Sequence, residues 1–111
     1  MPMARTKRGR IRQVHRWLEA EFPAPHSVRV SICKVKKDYG DCDLIKSGVL
    51  HVRVNCDLDW YASIEWLLHE YAHAVAWGKE KDPHDRAWSD RYGRIYRRWH
   101  NKGGAEESRK L

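Results

Sequence analysis

His69, Glu70 and His73 stand together as His-Glu-Tyr-Ala-His, an H-E-x-x-H pattern. A helix returns to nearly the same face after four residues, so both imidazoles can hold one ion. Glu70, beside the first histidine, is then within reach of a water on that ion and can act as its base. The chemistry implied is zinc-assisted hydrolysis. Without a metal, the same three residues would be solvated polar groups on a surface helix.

The surrounding residues decide whether such a helix exists. Trp60, Ile64, Leu67, Leu68, Ala72, Val75 and Ala76 recur at i, i+3, i+4 spacing, which predicts a helix over 60–77 with a face to bury. Asp57 or Asp59 can cap its start, and Gly78 suits its end. A catalytic zinc needs a third protein ligand and one open position. Asp82 fits an N-cap, Pro83 the first helical position and Asp85 the third, so a new helix is expected there with His84 in its first turn. The polar stretch 79–81 lets the chain reverse and bring His84 to the metal helix. His84 is the third ligand in this reading, and Glu80 and Asp85 are its competitors because carboxylates also bind zinc.

The segment HEYAHAVAWGKEKDPHDRAW resembles the active-site stretch of SprT-like metallopeptidases, the zincin family that includes the Spartan proteases. Members carry the H-E-x-x-H, a loop, a third histidine and an aromatic three or four residues later. His69, Glu70, His73, His84 and Trp88 meet that order. The resemblance covers about residues 60–99 and implies a zincin fold, a zinc cofactor, peptide-bond hydrolysis and action on DNA-associated proteins. Two departures stand out. Asp85 occupies a position that is often glycine in the family, and a C-terminal four-cysteine ribbon is missing.

Stepping outward, Ile11, Val14, Leu18 and Trp17 give an N-terminal helix one apolar face, closed by Phe22 before Pro23-Ala-Pro25. Val28, Val30 and Ile32 alternate with Arg29 and Ser31, which predicts a half-buried strand running on to Val35. Residues 38–47 read as loop or a short irregular strand. Residues 49–54 form a second clear strand leading into the metal helix, an order similar to that of zincins, where a strand beside the cleft can pair with an extended peptide. The last helix is expected over 83–100, with Ala87, Trp88, Ile95 and Trp99 inward, Tyr92 beside them, and Gly103-Gly104 at its end. Tyr92 and Tyr96 are near enough in helical phase to be considered for stabilising a developing oxyanion, but a core or rim tyrosine accounts for them better and neither is assigned a catalytic role. The fold class is therefore α+β: an N-terminal helix, a small, mostly antiparallel sheet, the H-E-x-x-H helix and a C-terminal helix. Residues 1–9 form a basic disordered tail, 10–100 the domain and 101–111 a polar tail.

With 111 residues the chain can bury one modest core. Its 33% charged residues leave six tryptophans and five tyrosines to supply much of the apolar area. Cys33, Cys42 and Cys56 are odd in number and form no C-x-x-C pair, so they read as small buried hydrophobes in a reducing compartment. No apolar run approaches membrane-spanning length, and the basic start lacks the core of a signal peptide. The expectation is a soluble, cytoplasmic monomer without membrane contact.

The net charge of +7 favours polyanionic partners. Basic residues cluster at 5–16 and 91–102, so Arg91, Arg94, Arg97 and Arg98 could join the N-terminal tail in a DNA-binding patch, with Trp17 or Trp99 stacking on unpaired bases. A solvated basic face explains the same residues. The sequence thus reads as a zinc-dependent endopeptidase with His69, His73 and His84 as ligands and Glu70 as base. The alternative is a basic nucleic-acid-binding module whose zinc is structural or absent.

Overall fold

The computed structural model describes residues 4–36, 38–45, 48–82 and 84–102. Helix α1 (Lys7–Glu21) precedes strands β1 (Val28–Cys33), β2 (Gly40–Leu44) and β3 (Leu50–Asn55), which are followed by helices α2 (Trp60–Val75) and α3 (Arg86–Asn101). The expected α+β class is observed. Pro83, Gly103 and Gly104, used above as helix start and stop, lie outside the described residues.

β3 takes the centre of the sheet because it has the most to bury. Leu50, Val52 and Val54 are fully enclosed and alternate with His51, Arg53 and Asn55 on the outer face. The strand order is β1-β3-β2, with β1 parallel and β2 antiparallel to β3. The sheet is therefore mixed, which corrects the expectation of a mostly antiparallel one. Alternation fixes which face of a strand is buried and carries no information about direction. The chain leaves β1, crosses to the far edge as β2 and returns into the centre through a tight connection. That connection is closed by hydrogen bonds between Ile45 and Val49 and between Gly48 and Ile45, with Gly48 at φ +78°.

The apolar face of the sheet packs against α2, which buries Ile64, Leu67, Leu68, Tyr71 and Ala72. Asp59 caps α2 by accepting from the Ala62 N–H at 2.7 Å. Past the helix, Gly78 turns the chain at φ +85°. α1 and α3 contact α2, and the Tyr71 hydroxyl donates to the Phe22 carbonyl at 3.0 Å, fastening the end of α1.

α1 begins at Lys7, so residues 7–9 belong to the domain and the expected tail is shorter. Two features bring this about: Thr6 caps the helix through the Gly9 N–H, and the Lys7 ammonium donates to the carbonyls of Cys56 and Leu58 at 2.8 and 2.9 Å. At the other end of the chain, Ile95 and Trp99 of α3 enter the core, and His100 pairs with Glu65 of α2 at 3.3 Å.

Candidate metal centre

The four-residue spacing within α2 sets His69 and His73 side by side, with ring centroids 5.3 Å apart. His84 arrives from the loop that follows. Its Nε2 lies 3.1 Å from His69 Nε2, and its ring centre lies 4.8 Å from that of His73. One nitrogen from each of the three histidines lies within 4.8 Å of the others. Tetrahedral ligands at ordinary zinc–nitrogen distances stand about 3.4 Å apart, which falls between the 3.1 Å of the His69–His84 pair and the 4.8 Å limit of the trio. Among the described residues no fourth His, Cys, Asp or Glu joins the group.

His84 does not lie in the first turn of α3, as its sequence position suggested. It precedes the helix, with φ +63°, and the N-cap is Asp85. The Asp85 carboxylate accepts from the N–H groups of Lys81, Asp82 and Trp88 at 2.8, 3.4 and 3.3 Å. That capture binds the loop to the helix start and leaves His84 outside it, in the left-handed region that costs a non-glycine residue about 1–2 kcal/mol. Asp85, the competing ligand, is used here as a cap and does not join the histidine cluster.

Glu80, the other competitor, stands behind His73. Its Oε1 lies 2.7 Å from His73 Nδ1 and so leaves Nε2 as the nitrogen available to an ion. Sequence reasoning missed this role. The available signal was the general pairing of a ligand imidazole with a carboxylate, here seven residues along the chain and across a turn. Trp88 braces the other side: its indole N–H donates to the His69 carbonyl at 3.2 Å, and its ring stacks on His73 at 24° and on Tyr92 at 17°.

Glu70 is buried, with its Oε2 3.8 Å from His69 Nε2. It packs beneath β2, where a Cβ on Gly40 would come within 3.1 Å of Glu70 Cγ and 2.7 Å of the Arg53 carbonyl oxygen. Burial first, then the charges of Asp41, Asp38 and Glu80, push its carboxyl up to about 8. Burial, assisted by the neighbouring imidazoles, pushes His69 and His73 down to about 4, which keeps both in the neutral form that ligates metal.

The centre opens into a cleft of about 410 Å³ walled by β2, Trp66 and Trp77. Exposed Tyr39 lies against Trp66, with ring centres 5.1 Å apart, and Trp66 against His69 at 4.7 Å. Tyr92 approaches the site, its ring 5.6 Å from that of His69, whereas Tyr96 packs on His100 one turn further along. The three cysteines are free thiols and form no metal cluster. Burial pushes Cys42, on the cleft wall, up to about 12, which makes it a neutral thiol.

The basic patch is assembled only in part. Arg91 donates to the Ala87 carbonyl of its own helix at 2.9 Å, and Arg98 pairs with Glu21 at 3.1 Å while covering Phe22. Arg94 and Arg97 stand on the exposed side of α3. Trp99 is enclosed at 2% exposure and cannot stack on a base, and Trp17 packs against it beneath the Lys102 ammonium. No family model, curated protein or solved structure matches this chain.

Proposed function

We propose that the protein is a zinc-dependent metallopeptidase. The observation that carries this reading is the convergence of His69, His73 and His84 nitrogens next to a buried Glu70 on the floor of an open cleft. Three histidines without a fourth protein ligand among the described residues favour a catalytic site over a structural one. A zinc ion held there would supply a Lewis acid and bring the pKa of water near neutrality. His69, His73 and His84 hold and orient it, with the tautomer of His73 fixed by Glu80. Glu70 takes the proton of the attacking water and returns it to the leaving amine. The charge of a bound ion would draw Glu70 back toward the ionised form that a base requires.

The same groups would hydrolyse other amides. The peptide substrate rests on the resemblance of residues 60–99 to SprT-like metallopeptidases and on β2, an edge strand whose residues line the cleft. Arg94 and Arg97 extend the proposal to a DNA contact that would bring the enzyme to DNA-associated proteins. Elemental analysis tests the metal: one zinc per chain is expected in the parent and strong loss on His84→Ala. Retention of zinc by His84→Ala would overturn the ligand set.

A further inference from the structure

On the opposite edge of the sheet from β2, α1 and β1 enclose a groove of about 600 Å³. Apolar Ile11, Val28, Val30 and Ile32 line it together with His15 and Ser31. Arg8, Arg12 and Arg29 line it as well, and all three are exposed. Among the described residues no hydrogen bond or ion pair engages these three guanidinium groups.

The groove also offers a main-chain edge. Leu50 N–H donates to the Ser27 carbonyl at 2.8 Å and Cys56 N–H to the Cys33 carbonyl at 3.0 Å. In a parallel pair, alternate residues turn both backbone groups toward the partner strand. Residues 27, 29, 31 and 33 therefore face β3, and the N–H and C=O groups of Val28, Val30 and Ile32 point outward. Among the described residues no strand lies beyond β1.

From this combination we infer that the α1–β1 groove is a docking site for an extended acidic peptide of a protein partner, which adds to the sheet as a strand beside β1. Outward backbone groups at every second residue match the main chain of a strand, and alternate apolar side chains of that strand can lie against the apolar lining. Carboxylates on the outer face of the added strand lie beside Arg29, which shares that face with His51 and Arg53, and Arg8 and Arg12 add attraction from α1. A polynucleotide would satisfy the arginines but neither the apolar lining nor the edge. The site is separate from the metal centre, so its test does not depend on the proposed reaction.

The full chain carrying Glu70→Gln, to prevent turnover of the probe, is titrated with a labelled acetylated peptide of four Val-Glu repeats and, separately, with a labelled twelve-residue oligothymidylate. The peptide is expected to bind, with affinity about tenfold lower in the Arg8→Glu/Arg12→Glu variant. Hydrogen exchange supplies the readout specific to strand addition: the Val30 and Ile32 amides exchange freely alone and become protected with peptide, while Ser31 is protected in both states. Val30→Pro removes one outward N–H without touching the bonds to β3, and is expected to weaken the peptide and leave the oligonucleotide unaffected. Absence of peptide binding, or binding without new protection at Val30 and Ile32, overturns the proposal. Oligonucleotide binding that displaces the peptide and depends on the same arginines would assign the groove to nucleic acid instead.

Discussion

Glu80 Oε1 lies 2.7 Å from His73 Nδ1, so a carboxylate outside the ligand set fixes which nitrogen of His73 faces the centre. Glu80→Ala is predicted to retain the fold and lower zinc affinity about 10–100-fold, the usual effect of losing such a partner. Glu80→Gln keeps a hydrogen-bonding group and falls between. Competition with a chromogenic chelator measures both. An affinity loss as complete as that of His84→Ala would make Glu80 a ligand rather than a positioning residue.

Gly40 is where β2 passes over Glu70. A methyl group there meets the Arg53 carbonyl oxygen at 2.7 Å and Glu70 Cγ at 3.1 Å, and the backbone contact cannot rotate away. Gly40→Ala is predicted to cost about 1–3 kcal/mol of stability through overpacking, to retain zinc and to lose most hydrolytic activity. Denaturant melts with zinc analysis and casein hydrolysis separate these effects. Undiminished activity would show that β2 does not position Glu70.

Removal of metal exposes a pH dependence set by His69 and His73. Their folded-state values of about 4 lie below the ordinary 6.5, so folding favours the neutral rings. Their contribution is complete above pH 6.5 and is lost as pH falls toward 4, with a slope of up to about 1.4 kcal/mol per pH unit for each ring. Metal-free parent is predicted to lose Tm across that window more steeply than a His69→Gln/His73→Gln variant. Parallel curves would assign the acid lability to other groups.

Arg94 and Arg97 on the exposed side of α3 form the proposed DNA contact. A single-stranded oligonucleotide is predicted to bind at low salt, and Arg94→Ala/Arg97→Ala should reduce the slope of log affinity against log salt by about 1.4, from two lost phosphate contacts. Anisotropy across a salt series decides. Binding indifferent to both residues returns them to a solvated face.

The metal helix was legible because its information is local: the 3.6-residue apolar period, the four-residue histidine spacing and the Asp59 cap all sit within α2 or beside it. β1 and β3 were legible from their alternation, but β1 running parallel to β3 was not, since direction depends on where β2 returns. Asp82 reads as the cap in the sequence because Pro83 follows it, yet Asp85 carries the same cap chemistry. The choice fell to Asp85, whose carboxylate reaches three N–H groups, and it moved His84 out of the helix. The contacts of Glu80 with His73 and of Gly40 with Glu70 were not legible because each acts across a gap in sequence, one around a turn and the other from β2 onto α2. The patch arginines were visible as charge, whereas the Glu21 partner of Arg98 and the burial of Trp99 arise only when α1 and α3 pack together.

Glu70 is the residue on which the account turns, since in the proposed reaction it takes the proton of the water and is not needed to hold the ion. Parent and Glu70→Gln proteins loaded with zinc to the same measured content should be compared for casein cleavage at neutral pH. The account predicts clear cleavage by the parent and a loss of at least about a hundredfold in the variant, as expected when a general base is removed. Equal rates at equal zinc content, or no cleavage by the zinc-loaded parent, would contradict it.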